Sequence, residues 1–137
     1  MATPYKIDII TPERMFLSGE IESLVLDTPD GKRGIMAGHT PMIIAVAIGQ
    51  IDLKMDGQWK TAFTSEGFIE VTPGGITMMA QTVEWPEEID ARRAAEAEKR
   101  AQERLRQKQS LNEYHSTMSS LARAMARLRI KRNINMD

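Results

Sequence analysis

Four arginines in the last part of the chain have a spacing that could bind an anion. Arg93 and Arg100 are two helical turns apart and share a face. Arg123 and Arg127 are one turn apart further along, and Asp90 stands one turn before Arg93. A guanidinium presents a planar fork of donors that bonds phosphate oxygens bidentately. If two helices carrying these pairs close side by side, the four groups converge on one region suited to phosphate. The same spacing also describes solvated charges beside nearby glutamates, each pair worth about 0.3–0.5 kcal/mol. Charge-rich helices are more often of this second kind, so spacing alone leaves both readings open.

No other constellation in the chain suggests catalysis. The sequence has 0 cysteines, which excludes a disulfide framework, a cysteine metal site and a thiol nucleophile. His39 sits in GHTP, a loop-like stretch, with no partnered nucleophile or acid, and reads as structural or solvated. GKRGIMAGHT has glycines and a lysine but lacks the G-x-x-x-x-G-K-[ST] order of a phosphate-binding loop. Neither a metal-ligand cluster nor a Ser/His/Asp set is visible, so the chain is expected to be no enzyme by itself.

The elements that must position the arginines follow from a change of composition at Pro86. Residues 1–86 carry 6 Lys/Arg and 11 Asp/Glu, and residues 87–137 carry 12 and 8; halves of −5 and +4 underlie the net charge of −1. Glycine, β-branched residues and turn signals dominate before Pro86, and Ala, Arg, Glu and Gln after it. Two units are expected, 1–86 and 87–137. The start, MATPYKIDII, lacks the basic and apolar segments of a signal peptide, and no apolar run approaches the ~20 residues of a membrane helix. Membrane association is therefore expected only through a partner protein.

The first unit reads as sheet. In IDLKMD, Ile51, Leu53 and Met55 alternate with Asp52, Lys54 and Asp56, a strand with one wet face. Asp56–Gly57 signals a turn before a strand near Trp59, and Pro73-Gly74-Gly75 joins a hairpin of Phe68–Val71 and Ile76–Gln81. Tyr5–Ile10, Ile21–Asp27 and Met42–Val46 add strands. MIIAVAI is apolar on both faces and is expected in a covered part of the core. Short strands with frequent turns predict an antiparallel sandwich or barrel.

The second unit reads as two helices, from about Glu87 to about Gln107 and from about Asn112 to Lys131, with a break at Ser110. Glu87, Glu88 and Asp90 are expected to load the first turn of the first helix with negative charge. Ala94, Ala97, Ala101 and Leu105 should face Tyr114, Met118, Leu121, Met125 and Leu128 in an antiparallel hairpin. An alanine seam buries little apolar area, so the hairpin should be marginal and able to open.

GIMAGHTPM (residues 34–42) and SEGFIEVTPGGITMMAQTVEWPEEID (residues 65–90) resemble the epsilon subunits of F-type ATP synthases, and the resemblance covers nearly the whole chain. It implies an N-terminal sandwich of about ten strands, bound to the gamma subunit and the c-ring, followed by a C-terminal helical hairpin. In bacterial members the folded hairpin permits ATP hydrolysis; extended along gamma, it reaches the alpha and beta subunits and inhibits. The implied location is the cell membrane, peripheral and on the cytoplasmic side. Some bacterial members bind regulatory ATP through an I/L-D-x-x-R-A motif, matched here by Ile89, Asp90, Arg93 and Ala94 in IDARRA. Glu84, Arg100, Arg123 and Arg127 match the further family positions. The resemblance thus implies arginines on phosphate, Glu84 and Asp90 on base or ribose edges, and ATP as an effector, with magnesium left open. The pattern departs at Lys32–Arg33, where some relatives carry an acid that faces a basic c-ring loop, so that salt bridge is not carried over.

Two other classes compete with this reading. One is a non-catalytic sandwich adaptor that presents its helical arm to another complex; co-purification with a rotor would discriminate. The other is a nucleic-acid binder, disfavoured because the arm has only Tyr114 for stacking and interleaves acids with bases.

Overall fold

The computed structural model describes residues 3–35 and 41–135. His39 and most of GIMAGHTPM lie outside the described residues. Ten strands come first: β1 Tyr5–Ile10, β2 Met15–Ile21, β3 Ser23–Thr28, β4 Gly31–Ile35, β5 Met42–Val46, β6 Gly49–Met55, β7 Gln58–Thr64, β8 Gly67–Thr72, β9 Gly75–Ala80 and β10 Val83–Glu84. A 3₁₀ turn at Pro86–Glu88 leads to α1 Ala91–Leu105 and α2 Leu111–Asn135. The strands form two five-stranded sheets, ordered β2-β1-β9-β8-β5 and β10-β7-β6-β3-β4. The pairing is antiparallel except between β1 and β9. A β-sandwich followed by a helical hairpin is the expected fold class.

Alternation builds the core. Ile7 and Ile9, Leu24 and Leu26, Ile51 and Leu53, and Ile69 and Val71 are buried in pairs two residues apart. The β6–β7 hairpin closes at Asp56 and Gly57, both with positive φ (51° and 77°), which suits the right-handed twist of the flanking strands.

The structure corrects several expectations about the strands. Ile21–Asp27 is not one strand: β2 ends at Ile21 and β3 begins at Ser23, in different sheets. MIIAVAI is not covered on both sides. It forms edge strand β5, with Ile44 and Val46 buried and Ile43 74% exposed. An apolar row on the outer face of the first sheet accounts for this pattern. Ala45 pairs with Phe68, Phe68 with Met79, Met79 with Ile10, and Ile10 with Met15. One cross-strand row is therefore apolar through all five strands, and Met15, Phe68 and Met79 are exposed.

The helices begin and end differently from the expectation. Asp90 is the N-cap of α1, its Oδ1 accepting the Arg93 backbone N–H at 3.1 Å. Glu87 and Glu88 lie before the helix, in the 3₁₀ turn. Ser110 does interrupt the helices: its hydroxyl accepts the Glu113 N–H at 3.2 Å and meets the Glu113 carboxylate, a capping arrangement for α2. On α1, Ala94 and Ala101 are buried and Ala97 and Leu105 half-buried, as expected. On α2, Tyr114, Met118 and Met125 are exposed. Thr117 and Ala124 are buried on one side, and Ala126 and Ile130 on nearly the opposite side. The latter two join Phe63 of β7 and Ile89 in a small apolar cluster. The expected stripe fails because α2 has two partners, α1 and the β6–β7 face of the sandwich.

Candidate functional site

α1, α2 and one end of the sandwich enclose a cleft of about 470 Å³. Arg93, Ala94, Ala97 and Arg100 line it from α1, and Ser120, Arg123, Ala124 and Arg127 from α2. Glu13, Thr82 and Glu84 contribute from the sandwich, and Glu88 and Asp90 from the linker. Helical periodicity explains the helix contributions: arginines placed one or two turns apart project to the same side of each helix. Alanines beside them keep the wall thin enough to leave a cavity.

Seven of the eight sequence-derived site residues share this cleft: Glu84, Asp90, Arg93, Ala94, Arg100, Arg123 and Arg127. Ile89 does not. It is buried against Phe63, Ala126 and Ile130, where it anchors the approach to α1. An isoleucine gains more from that apolar cluster than from a polar wall. Sequence reading missed Glu13, Thr82, Glu88, Ala97, Ser120 and Ala124 as wall residues. Glu13 and Thr82 carry no pattern linking them to the helices.

The arginines on α2 are held differently. Arg127 Nε donates to Glu84 Oε1 at 2.7 Å, both side chains being three-quarters buried, and its guanidinium lies 4.3 Å from the Phe63 ring centroid. Arg123 Nη2 donates to Ser120 Oγ at 3.2 Å, while Nη1 is 3.5 Å from the Glu66 carboxylate. Arg93 and Arg100 are exposed and form no ion pair among the described residues.

The linker is fastened beneath the cleft. Arg14 grips Glu88 with two bonds, Nη2 to Oε1 at 2.9 Å and Nη1 to Oε2 at 2.8 Å, and also donates to the Val83 carbonyl at 3.1 Å. The Trp85 N–H donates to Glu88 Oε1 at 2.9 Å. The Arg14 bond, then the Trp85 N–H, hold the Glu88 carboxyl below its usual range against the opposing effect of burial. Trp85 stacks on Phe16, with ring centroids 4.6 Å apart, and Lys131 Nζ of α2 donates to the Pro86 carbonyl at 2.9 Å.

Chemically, four guanidiniums on one side and carboxylates with a threonine hydroxyl on the other suit a ligand with a polyanionic end and a donor-bearing polar end. Among the described residues, no group of three or more His, Cys, Asp or Glu is placed to hold a metal ion, and no helix is long and apolar enough to cross a membrane.

Comparison with known proteins gives a consistent assignment. Residues 4–86 match the family "ATP synthase, Delta/Epsilon chain, beta-sandwich domain", and residues 87–132 match "ATP synthase, Delta/Epsilon chain, long alpha-helix domain". The chain is 43% identical to the ATP synthase epsilon chain of Caldanaerobacter subterraneus subsp. tengcongensis over 131 residues, covering 95% of each chain. It is 42% identical to that of Ruminiclostridium cellulolyticum over 128 residues, covering 93% of this chain and 95% of the relative. Its fold is similar to a chain in a cryo-EM structure of the Euglena gracilis mitochondrial ATP synthase, comprising OSCP, F1 and c-ring in rotational state 1. That likeness has a TM-score of 0.79 at 17% identity and covers 100% of this chain and 84% of the other.

Proposed function

The chain belongs to the delta/epsilon family of ATP synthase subunits, as a bacterial F-type epsilon chain, and on that premise we propose that it is a central-stalk subunit whose hairpin is a nucleotide-gated inhibitor of ATP hydrolysis. The sandwich would sit on the rotor, against the gamma subunit and the c-ring, and help couple proton flow to rotation. The complex would hold it peripherally at the cell membrane, on the cytoplasmic side. The hairpin, closed on regulatory ATP, would leave hydrolysis free. Opened, it would extend along gamma to the alpha and beta subunits and block hydrolysis.

The observation that carries this reading is the cleft that brings Arg93, Arg100, Arg123 and Arg127 together between the helices and the sandwich. A ligand there touches both helices and the sandwich at once, so it stabilises the closed hairpin and has no equivalent site on an extended one. At 100 times its dissociation constant such a ligand contributes about 2.7 kcal/mol to the closed state. The seam it supports is small: the buried apolar residues between α1 and α2 are the alanines Ala94, Ala101 and Ala124. A few kcal/mol can therefore decide between the two forms. The triphosphate would face the arginines; Glu84 and the Asp90 oxygen not used by the helix cap would accept from the base or ribose.

Calorimetric titration of the full chain with ATP, then with ADP, tests the proposal. Saturable binding, stronger for ATP and abolished in the Arg123→Ala, Arg127→Ala double variant, is expected. Heat that does not saturate up to millimolar ATP would overturn it.

A further inference from the structure

We propose that Glu66 is a specificity-determining residue of this cleft, a carboxylate that competes with phosphate for Arg123 and lowers the affinity for nucleotide. The inference rests on the reading of the cleft as a nucleotide site. Glu66 lies at the corner between β7 and β8, and the backbone on either side is fixed. Ser65 is buried; its N–H donates to the Thr82 carbonyl at 2.9 Å, and its Oγ accepts the Thr82 N–H at 2.9 Å. Gly67 leaves no room for a side chain, since a Cβ there would lie 2.1 Å from the Met79 carbonyl oxygen. Glu66 is not itself in the wall of the cleft; this corner brings its carboxylate to one of the four arginines from outside the cleft.

The pair it makes is a poor brace. Glu66 Oε1 meets Arg123 Nη1 at 3.5 Å through a single oxygen, and the Glu66 side chain is 56% exposed. Exposed pairs of this kind add little to stability. The contrast with Arg127 is direct: that guanidinium is held at 2.7 Å by a three-quarters-buried Glu84 and lies over Phe63. Arg127 is thus a built part of the wall, while Arg123, steadied on α2 by Ser120, has only the long Glu66 contact as its ion pair among the described residues and keeps capacity for a further anion. A phosphate group carries more charge than a carboxylate and can take both prongs of a guanidinium. It would displace Glu66, which then stands as a like charge a few ångströms away. The residue would set how much negative charge a ligand must bring, in a cleft that must release its ligand when the nucleotide level falls.

The sign of one substitution separates competitor from brace. Glu66→Gln keeps shape and removes charge. A competitor predicts ATP binding tightened about three- to tenfold; a brace predicts binding weakened, because α2 loses a tie to the sandwich. Glu70→Gln removes the same charge on the outer face of the other sheet and should leave affinity unchanged. The experiment is calorimetric titration of the full chain, E66Q and E70Q with ATP and ADP, with thermal unfolding of each to confirm the fold. Tighter binding by E66Q alone supports the inference. Binding by the parent with equal or weaker binding by E66Q, or equal tightening by E70Q, overturns it and leaves the nucleotide reading standing. No binding by any of the three overturns the nucleotide reading and the inference with it.

Discussion

Arg93 and Arg127 illustrate why arginines in one cleft are not interchangeable. Arg93 is exposed and contributes only its backbone N–H to the Asp90 cap, so its side chain is free of structural duty. Arg127 ties α2 to Glu84 and covers Phe63. Arg93→Ala or Arg100→Ala should therefore weaken ATP binding about tenfold each, the loss of one charge-assisted contact, with an unchanged melting temperature. Arg127→Ala should lower both affinity and melting temperature, because it leaves the Glu84 carboxylate partly buried without its partner. Paired titrations and thermal melts check the contrast; a stable Arg127→Ala chain would show that its role is ligand contact alone. The arginine set was legible in the sequence because helical spacing fixes which side chains share a face. Ile89 lies outside the cleft for a reason that spacing does not reveal. It falls inside the motif, but whether a side chain turns to a cleft or to a core depends on the Phe63–Ile130 cluster, which is assembled from distant parts of the chain.

At the scale of elements, the linker between sandwich and α1 would be the pivot of the proposed opening of the hairpin. Trp85 and Glu88 are fastened by Phe16 and Arg14 independently of α2, so in the proposed opening these two would keep their places while the Lys131–Pro86 bond and the Ile89 packing against α2 are lost. Glu88 is held below its usual range in the folded chain, principally by Arg14. The folded state then binds that proton less readily than the unfolded one, so the stabilisation is present above the ordinary glutamate range and is lost as pH falls through the depressed value. Arg14→Ala and Glu88→Gln should each flatten this acid limb in melts taken between about pH 6 and pH 3; an acid limb identical to the parent's would show that the pair adds no pH-dependent stability. The helix boundaries and seam were legible only in part. Apolar spacing marks a stripe by its large residues, Tyr114, Met118 and Met125, yet α2 buries Thr117, Ala124, Ala126 and Ile130. A helix gripped on two sides buries small residues where neighbours approach closely, and no single period records two partners. Ile130→Ala tests that grip. Removing a large side chain from the Phe63–Ile89 cluster should cost about 2–5 kcal/mol of packing and shift the hairpin toward its open form, seen as faster amide exchange in α2 than in β6 and β7. Equal exchange in both would mean that the hairpin and sandwich unfold as one.

Over the whole molecule, the two proposed tasks occupy opposite sides. The hairpin lies against β6 and β7 of one sheet, with Phe63 turned outward to meet it. The outer face of the other sheet carries the row Ala45–Phe68–Met79–Ile10–Met15. Five strands at about 4.8 Å spacing make it roughly 19 Å long. Exposed apolar rows rimmed by charge mark interaction surfaces, here with Glu66, Glu70 and Asp8 nearby on the same strands or their ends. This row was not legible beforehand, because an apolar run such as MIIAVAI reads the same for a strand covered on both faces and for an edge strand whose outer face awaits a partner. If the row is the docking face for the rotor, docking and nucleotide binding are separable by mutation. Phe68→Glu places a charge within the row without touching the cleft. It should remove the chain from the assembled synthase, measured by co-purification with gamma, while the titration with ATP stays as in the parent. Arg100→Ala should do the reverse, assembling normally and binding ATP about tenfold more weakly. Normal assembly of Phe68→Glu would assign the rotor contact to another surface, of which the basic, exposed β4 strand at Lys32 and Arg33 is the next to examine. Loss of ATP binding in Phe68→Glu would mean instead that the two sides of the sandwich are coupled through its core.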